Sequence, residues 1–180
     1  RPNVAVALLR FAPVKRLDLL VAVWSLFSKQ HPDWQLHLYG STDTAYAETI
    51  QALVLAAGLE QVVLFKGSTS AVSEVLDSAR LLLLTSEQEC FPMVLLEAFA
   101  TGVPVVAFDC PTGPRNIVHD GVDGFLVPFG SVSDFVERME MLVGDAELLA
   151  AFSANAQAAS LNYSVDSVMN VWNSTIFAPL

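Results

Sequence analysis

The chain alternates between two hydrophobic rhythms. Residues 4–9, VAVALL, form an unbroken apolar, β-prone run and predict a buried strand. Residues 17–27 then place apolar side chains at helical spacing. Residues 34–39 alternate and stop at Gly40, which reads as a second strand. A helix over 45–57 stops at Gly58. A short strand over 62–65 ends before Gly67, and a short helix covers 72–79. Residues 81–84, LLLL, are a fully apolar strand. The pattern continues with a helix over 92–100 opened by a proline, which suits a first turn. A strand over 103–108, a helical turn over 114–118 and a strand over 125–127 follow. Helices over 132–142, 146–158 and 165–172 close the chain.

Strands alternating with helices imply parallel βαβ units. Continuously apolar strands fit a sheet covered on both faces. The expected fold is α/β, a Rossmann-like, doubly wound parallel sheet of about six strands. Such sheets bind ligands at the carboxyl ends of their strands, so the turns after the strands are the place to look for chemistry.

Composition narrows the classes. The 180 residues are 53% hydrophobic and 16% charged, which argues against disorder and fits one domain over 1–180 with a sizeable core. No apolar run reaches the ~20 residues of a spanning helix. The net charge of −10 argues against a general nucleic-acid surface, while leaving room for a local basic pocket. Two cysteines, Cys90 and Cys110, have neither metal-ligand spacing nor a disulfide framework, and a reducing compartment fits them. The histidines at 31, 37 and 119 show no catalytic or metal spacing. No carboxylate cluster points to a metal. The opening Arg-Pro-Asn runs straight into a strand, as expected of a chain beginning inside a longer protein.

Two places carry candidate chemistry. In LLLLTSEQECFPMVLLEAFAT, residues 81–101, a strand leads through a polar loop into a helix. Unpaired amides and the positive dipole end of that helix favour a phosphate, with Met93 and Val94 able to donate. Glu97 lies in an otherwise apolar helix and needs solvent or a partner such as a ribose diol. On the residues alone, Glu97 also reads as the solvent face of that helix and Glu89 as a solvated loop charge. The second place is LLRFAPVKRLDLL, where Arg10 ends the first strand and Lys15 follows in the loop. Two cations there suit a diphosphate, and positive charge stabilises a phosphate leaving group.

Glu89, seven intervening residues and Glu97, followed by AFATGVPVVAFD, resemble the paired-glutamate motif of the glycosyltransferase family called group 1 or family 4. The resemblance covers nearly the whole chain as a C-terminal half. It implies one of the two Rossmann-like domains of a retaining GT-B enzyme, the one that binds the nucleotide-sugar donor. It implies that Glu97 binds the ribose and that Glu89 contacts the donor sugar as a catalytic contributor. Backbone amides of Phe91, Met93 and Val94 would contact phosphate and sugar. Arg10 and Lys15 match the family's diphosphate-binding pair. Gly67 and Ser68 match the turn that approaches the base, and Gly40 and Ser41 close the second strand nearby. Gly113, Pro114, Gly121 and Gly124 fall where the family's turns recur. Cys90 and Leu9 replace frequent glycines, Asn116 a frequent glutamate, and Arg16 a glycine after the lysine; Arg16 reads as a surface charge.

The resemblance further implies a hexosyltransferase of bacterial cell-surface polysaccharide, lipopolysaccharide or teichoic-acid synthesis. The expected donor is a UDP-sugar in preference to a GDP-sugar, with no metal and no other cofactor. The expected location is the cytoplasm or the cytoplasmic membrane face, reached through an absent N-terminal acceptor domain toward which the last helices would pack. Two other readings stand beside it. One is a degenerate nucleotide-binding module. The other, a dinucleotide enzyme, lacks the G-x-G-x-x-G that would follow the first strand.

Overall fold

The structure, a computed structural model, describes residues 1–177. Six strands form one sheet: β1 (Val4–Leu8), β2 (Gln35–Tyr39), β3 (Val63–Gly67), β4 (Leu81–Leu84), β5 (Val105–Asp109) and β6 (Gly124–Pro128). Their order is β3-β2-β1-β4-β5-β6, and every pair is parallel. Among the described residues seven α-helices connect or follow them: α1 (Leu17–Gln30), α2 (Ala45–Ala56), α3 (Val72–Asp77), α4 (Met93–Ala100), α5 (Val132–Gly144), α6 (Ala146–Ser160) and α7 (Val165–Thr175). The doubly wound α/β expectation is met.

Side-chain alternation explains why the strands are apolar throughout. Ala5 and Ala7 of β1, with Leu81 and Leu83 of β4, face a core that holds Trp24 and Phe27 of α1, Ile50 of α2 and Phe135 of α5. Val4 and Val6, with Leu82 and Leu84, face the opposite core, which holds Leu76 of α3, Leu95 and Phe99 of α4 and Ala156 of α6. A strand buried on both faces has no polar alternation to show. Each Val, Leu, Ile, Phe or Met side chain fully removed from water contributes roughly 1.5–3 kcal/mol.

Several boundaries differ from expectation. β5 begins at Val105, two residues late. Pro104 has no N–H for the ladder, and the Val103 N–H instead donates to the Ala98 carbonyl at the end of α4. β3 runs on to Gly67, whose carbonyl accepts from the Gly40 N–H. α4 starts at Met93 with Pro92 as its cap, so the proline precedes the first turn.

The strand order reverses between β1 and β4. Chains leaving their carboxyl ends diverge there, one toward α1 and the other toward α4, which opens the crevice where doubly wound sheets take ligands. α6 packs on α4 and α5 within the domain, whereas α7 buries none of its residues.

Candidate functional site

The loops after β1, β2 and β3 and the first turns of α3 and α4 enclose a cleft of about 400 Å³. Leu8, Leu9, Tyr39 and Val94 give it apolar walls, and Arg10 and Glu97 bring opposite charges to it. Gly40, Ser41, Ser68, Thr69 and Val72 complete the lining. Gly40 is required by close approach: a Cβ there would stand 2.2 Å from the Leu9 carbonyl oxygen. The β1 and β2 turns can therefore touch.

Arg10 and Glu97 are both exposed, and neither has an ion-pair partner among the described residues. The solvent-face reading of Glu97 is thus correct as far as it goes, but the solvent it faces is that of the cleft. Val94 lies one helical turn before Glu97 on the same wall. The backbone N–H groups of Phe91, Met93 and Val94 have no acceptor among the described residues. The Phe91 and Met93 side chains are exposed away from the cleft lining, with Phe91 6.1 Å from the Tyr163 ring. Gly67 borders the cleft through its neighbour Ser68.

Lys15 and Glu89 are not in this lining. They form a second cluster at the strand-order reversal, bridged at 2.6 Å with side chains 18% and 11% exposed. The same carboxylate oxygen, Oε1, accepts from the Ser86 hydroxyl at 2.7 Å. The loops are tied further: Thr85 donates to the Lys15 carbonyl at 3.1 Å, and the Glu87 N–H to the Val14 carbonyl at 2.8 Å. The loop after β5 closes the cluster. The Thr112 hydroxyl donates to the Glu89 carbonyl, sharing its proton with the Pro111 carbonyl 2.6 Å away. Gly113 packs so tightly that a Cβ would come within 2.8 Å of the Glu89 Cβ. Thr112 itself has φ 59° and ψ −173°, a region that non-glycine residues enter at roughly 1–3 kcal/mol. Sequence reasoning missed Ser86 and Thr112. Nothing in the string TSEQE marks one serine above its neighbours, and backbone strain has no sequence signal.

Arg16 lies at the surface outside the cleft lining, and it is paired there: its guanidinium donates to both Asp18 oxygens, at 3.0 and 2.9 Å, and lies 3.8 Å from Glu87. Hydrogen bonding to Arg16 holds the Asp18 carboxyl below its ordinary range. Arg16 also has left-handed backbone, φ 48°, which explains why a glycine suits this place in the resembled family. Burial pushes the Cys110 thiol up, and the nearby Glu89 carboxylate adds to that. Cys90 is exposed. His119 bridges the buried Asp123 at 2.7 Å and orders the turn before β6. Among the described residues no group of three His, Cys, Asp or Glu side chains could hold a metal. No described helix is long and apolar enough to cross a membrane.

A family model described as "Glycosyl transferases group 1" matches residues 1–159. The chain belongs to this family. The group 1 domain is 35% identical over 164 residues to an exopolysaccharide phosphotransferase of Streptomyces coelicolor, covering 91% of the chain and 17% of that protein. It is 30% identical over 164 residues to the poly(ribitol-phosphate) alpha-N-acetylglucosaminyltransferase of Staphylococcus aureus, covering 91% and 33%. The crystal structure of Anabaena HepE in complex with UDP and glucose superposes with a TM-score of 0.88 at 25% identity, covering 98% of the domain and 48% of HepE. The domain therefore spans half or less of the length of each of these proteins, and its fold is that of the C-terminal domains of GT-B glycosyltransferases.

Proposed function

We propose that this group 1 domain binds the nucleoside diphosphate of a sugar donor for a longer, retaining glycosyltransferase. The observation that carries the reading is the cleft at the carboxyl ends of the strands, where Arg10 and Glu97, without ion partners among the described residues, stand ready for groups of opposite character. A carboxylate suits a ribose diol, and an arginine suits a phosphate. Glu97 takes the ribose, and the apolar walls with Gly67 and Ser68 take the base. Arg10, Lys15 and the free amides of Phe91, Met93 and Val94 take the diphosphate.

The chemistry follows from charge. When the glycosidic bond to phosphate breaks, negative charge grows on the leaving diphosphate. Cations and amides already aimed at it lower the barrier. Glu89 stands at the sugar side of the same loop, as the catalytic contributor. Arg10 and Lys15 carry the neutralisation in this reading, which calls for no metal ion and no other cofactor.

The donor is a UDP-sugar in preference to a GDP-sugar, a choice supported by the UDP complex of HepE. The whole protein is a bacterial hexosyltransferase of cell-surface glycan synthesis, supported by the names of the S. coelicolor and S. aureus relatives. An N-terminal domain outside this chain supplies the acceptor and closes the cleft. That domain would bring the enzyme to the cytoplasmic membrane face. The phosphotransferase named for the S. coelicolor relative shares only 17% of its length with this chain, so its reaction is not carried over.

Calorimetry on the 180-residue chain tests the reading. UDP should bind measurably, and more tightly than GDP. A well-folded chain that binds neither would contradict it.

A further inference from the structure

The Glu89 carboxylate has one oxygen committed and one free. Oε1 accepts from both Lys15, at 2.6 Å, and Ser86, at 2.7 Å, while Oε2 has no partner among the described residues. Lys15 is the less permanent of the two partners. A bound diphosphate offers it a more highly charged acceptor, and Lys15 has a flexible stem to follow it. Ser86 cannot leave in that way. It is 1% exposed, and its neighbours are tied down, Thr85 donating to the Lys15 carbonyl and the Glu87 N–H to the Val14 carbonyl. The opposite side of Glu89 is held by Thr112, whose hydroxyl bonds the Glu89 carbonyl. Thr112 does so from φ 59°, a conformation glycine would hold with less strain, although the next residue is already Gly113. What threonine adds in this place is its hydroxyl, which donates to the Glu89 carbonyl and shares its proton with the Pro111 carbonyl.

We propose that Ser86 and Thr112 are positioning residues that grip Glu89 from its side chain and its backbone, so that Oε2 stays presented to the donor sugar after Lys15 moves to the diphosphate. The proposal rests on the donor-binding reading above. It adds two residues that touch neither nucleotide nor reacting atoms, and it separates the duties of the two partners of Oε1. Lys15 is exchanged during binding, and Ser86 is retained. Orientation matters here because a misplacement of about 1 Å in a reacting group costs on the order of a hundredfold in rate.

Two measurements test it. In the 180-residue chain, hydrogen exchange followed by mass spectrometry reads the order of residues 87–91. Ser86→Ala and Thr112→Gly should each speed exchange there about fivefold, the factor one ordinary hydrogen bond supplies. Thr112→Ser, which keeps the hydroxyl, should not. UDP affinity by calorimetry should stay within about twofold in all three, because none touches the nucleotide. In the full-length protein, UDP release from UDP-glucose, UDP-galactose and UDP-N-acetylglucosamine reads turnover. Ser86→Ala and Thr112→Gly should lower kcat at least about tenfold with donor KM little changed, while Thr112→Gly holds or raises Tm as the strain is relieved. Unchanged exchange at 87–91 in both variants would overturn the proposal, as would wild-type kcat in either. A fall in Tm for Thr112→Gly that Thr112→Ser restores would show a structural role only and also overturn it. Failure of the unaltered protein to bind UDP would strike at the donor-binding reading instead, and the exchange measurement would still decide the grip on Glu89.

Discussion

The two charged pairs of the site are built in opposite ways. Arg10 and Glu97 stand in an open cleft, exposed and without ion partners among the described residues. Lys15 and Glu89 are bonded to one another at 2.6 Å and mostly shielded from water. An exposed, unpaired charge gains its full interaction with an incoming ligand. A paired charge must first give up a partner, so its net gain is smaller. Under the proposed function, the Arg10–Glu97 half would be ready before a donor arrives. The Lys15–Glu89 half is held in internal balance, and under the same proposal a diphosphate would release it by drawing Lys15 away.

The sharpest way to break this contrast is to remove the ready cation. Arg10→Ala should weaken UDP binding by at least about tenfold, the value of a charge-assisted hydrogen bond. Wild-type affinity should fall with added salt, and the variant should show a flatter dependence. Glu97→Ala comes next, at about tenfold. Its cause can be isolated with 2′-deoxy-UDP, which should bind the wild type more weakly than UDP but bind Glu97→Ala the same as UDP. Equal discrimination in both proteins would remove the ribose from Glu97. The paired half predicts a reversed sign. Glu89→Gln should tighten UDP binding about threefold by freeing Lys15, as expected for a partly exposed ion pair. Weaker binding by calorimetry would mean that Glu89 supports the nucleotide directly. The smallest effect is at Arg16–Asp18, beside the site. Asp18 has its folded pKa lowered by Arg16, so its stabilisation is present above the ordinary carboxylate range and is lost as pH falls through the folded value. The acid limb of a Tm-against-pH curve should flatten slightly in Asp18→Asn.

The sequence revealed the elements better than their partnerships. β1 and β4 were readable because strands buried on both faces must be apolar at every position, as VAVAL and LLLL are. β5 was placed too early because hydrophobicity alone ignores the missing N–H of Pro104. Arg10 and Val94 were readable as candidates because strand ends and helix starts locate the crevice, and Glu97 through the paired-glutamate resemblance; the three do meet in one cleft. That Lys15 would pair with Glu89 was not readable. The two are far apart in sequence, and the pairing of β1 with β4, together with the loops' bonds between Thr85 and Lys15 and between Glu87 and Val14, brings them together. Arg16 escaped for a related reason, since its left-handed backbone and its grip on Asp18 exist only in the fold.

The central claim is that the Arg10–Glu97 cleft is the nucleotide site. Amide chemical shifts of the 15N-labelled 180-residue chain, followed as UDP is added, test it most directly. Saturable shifts are expected at Leu9, Arg10, Ser41, Ser68, Thr69 and Val94, with Glu97→Ala moving the midpoint to higher UDP. Saturable shifts confined to another face of the domain, or a midpoint indifferent to Glu97, would contradict it.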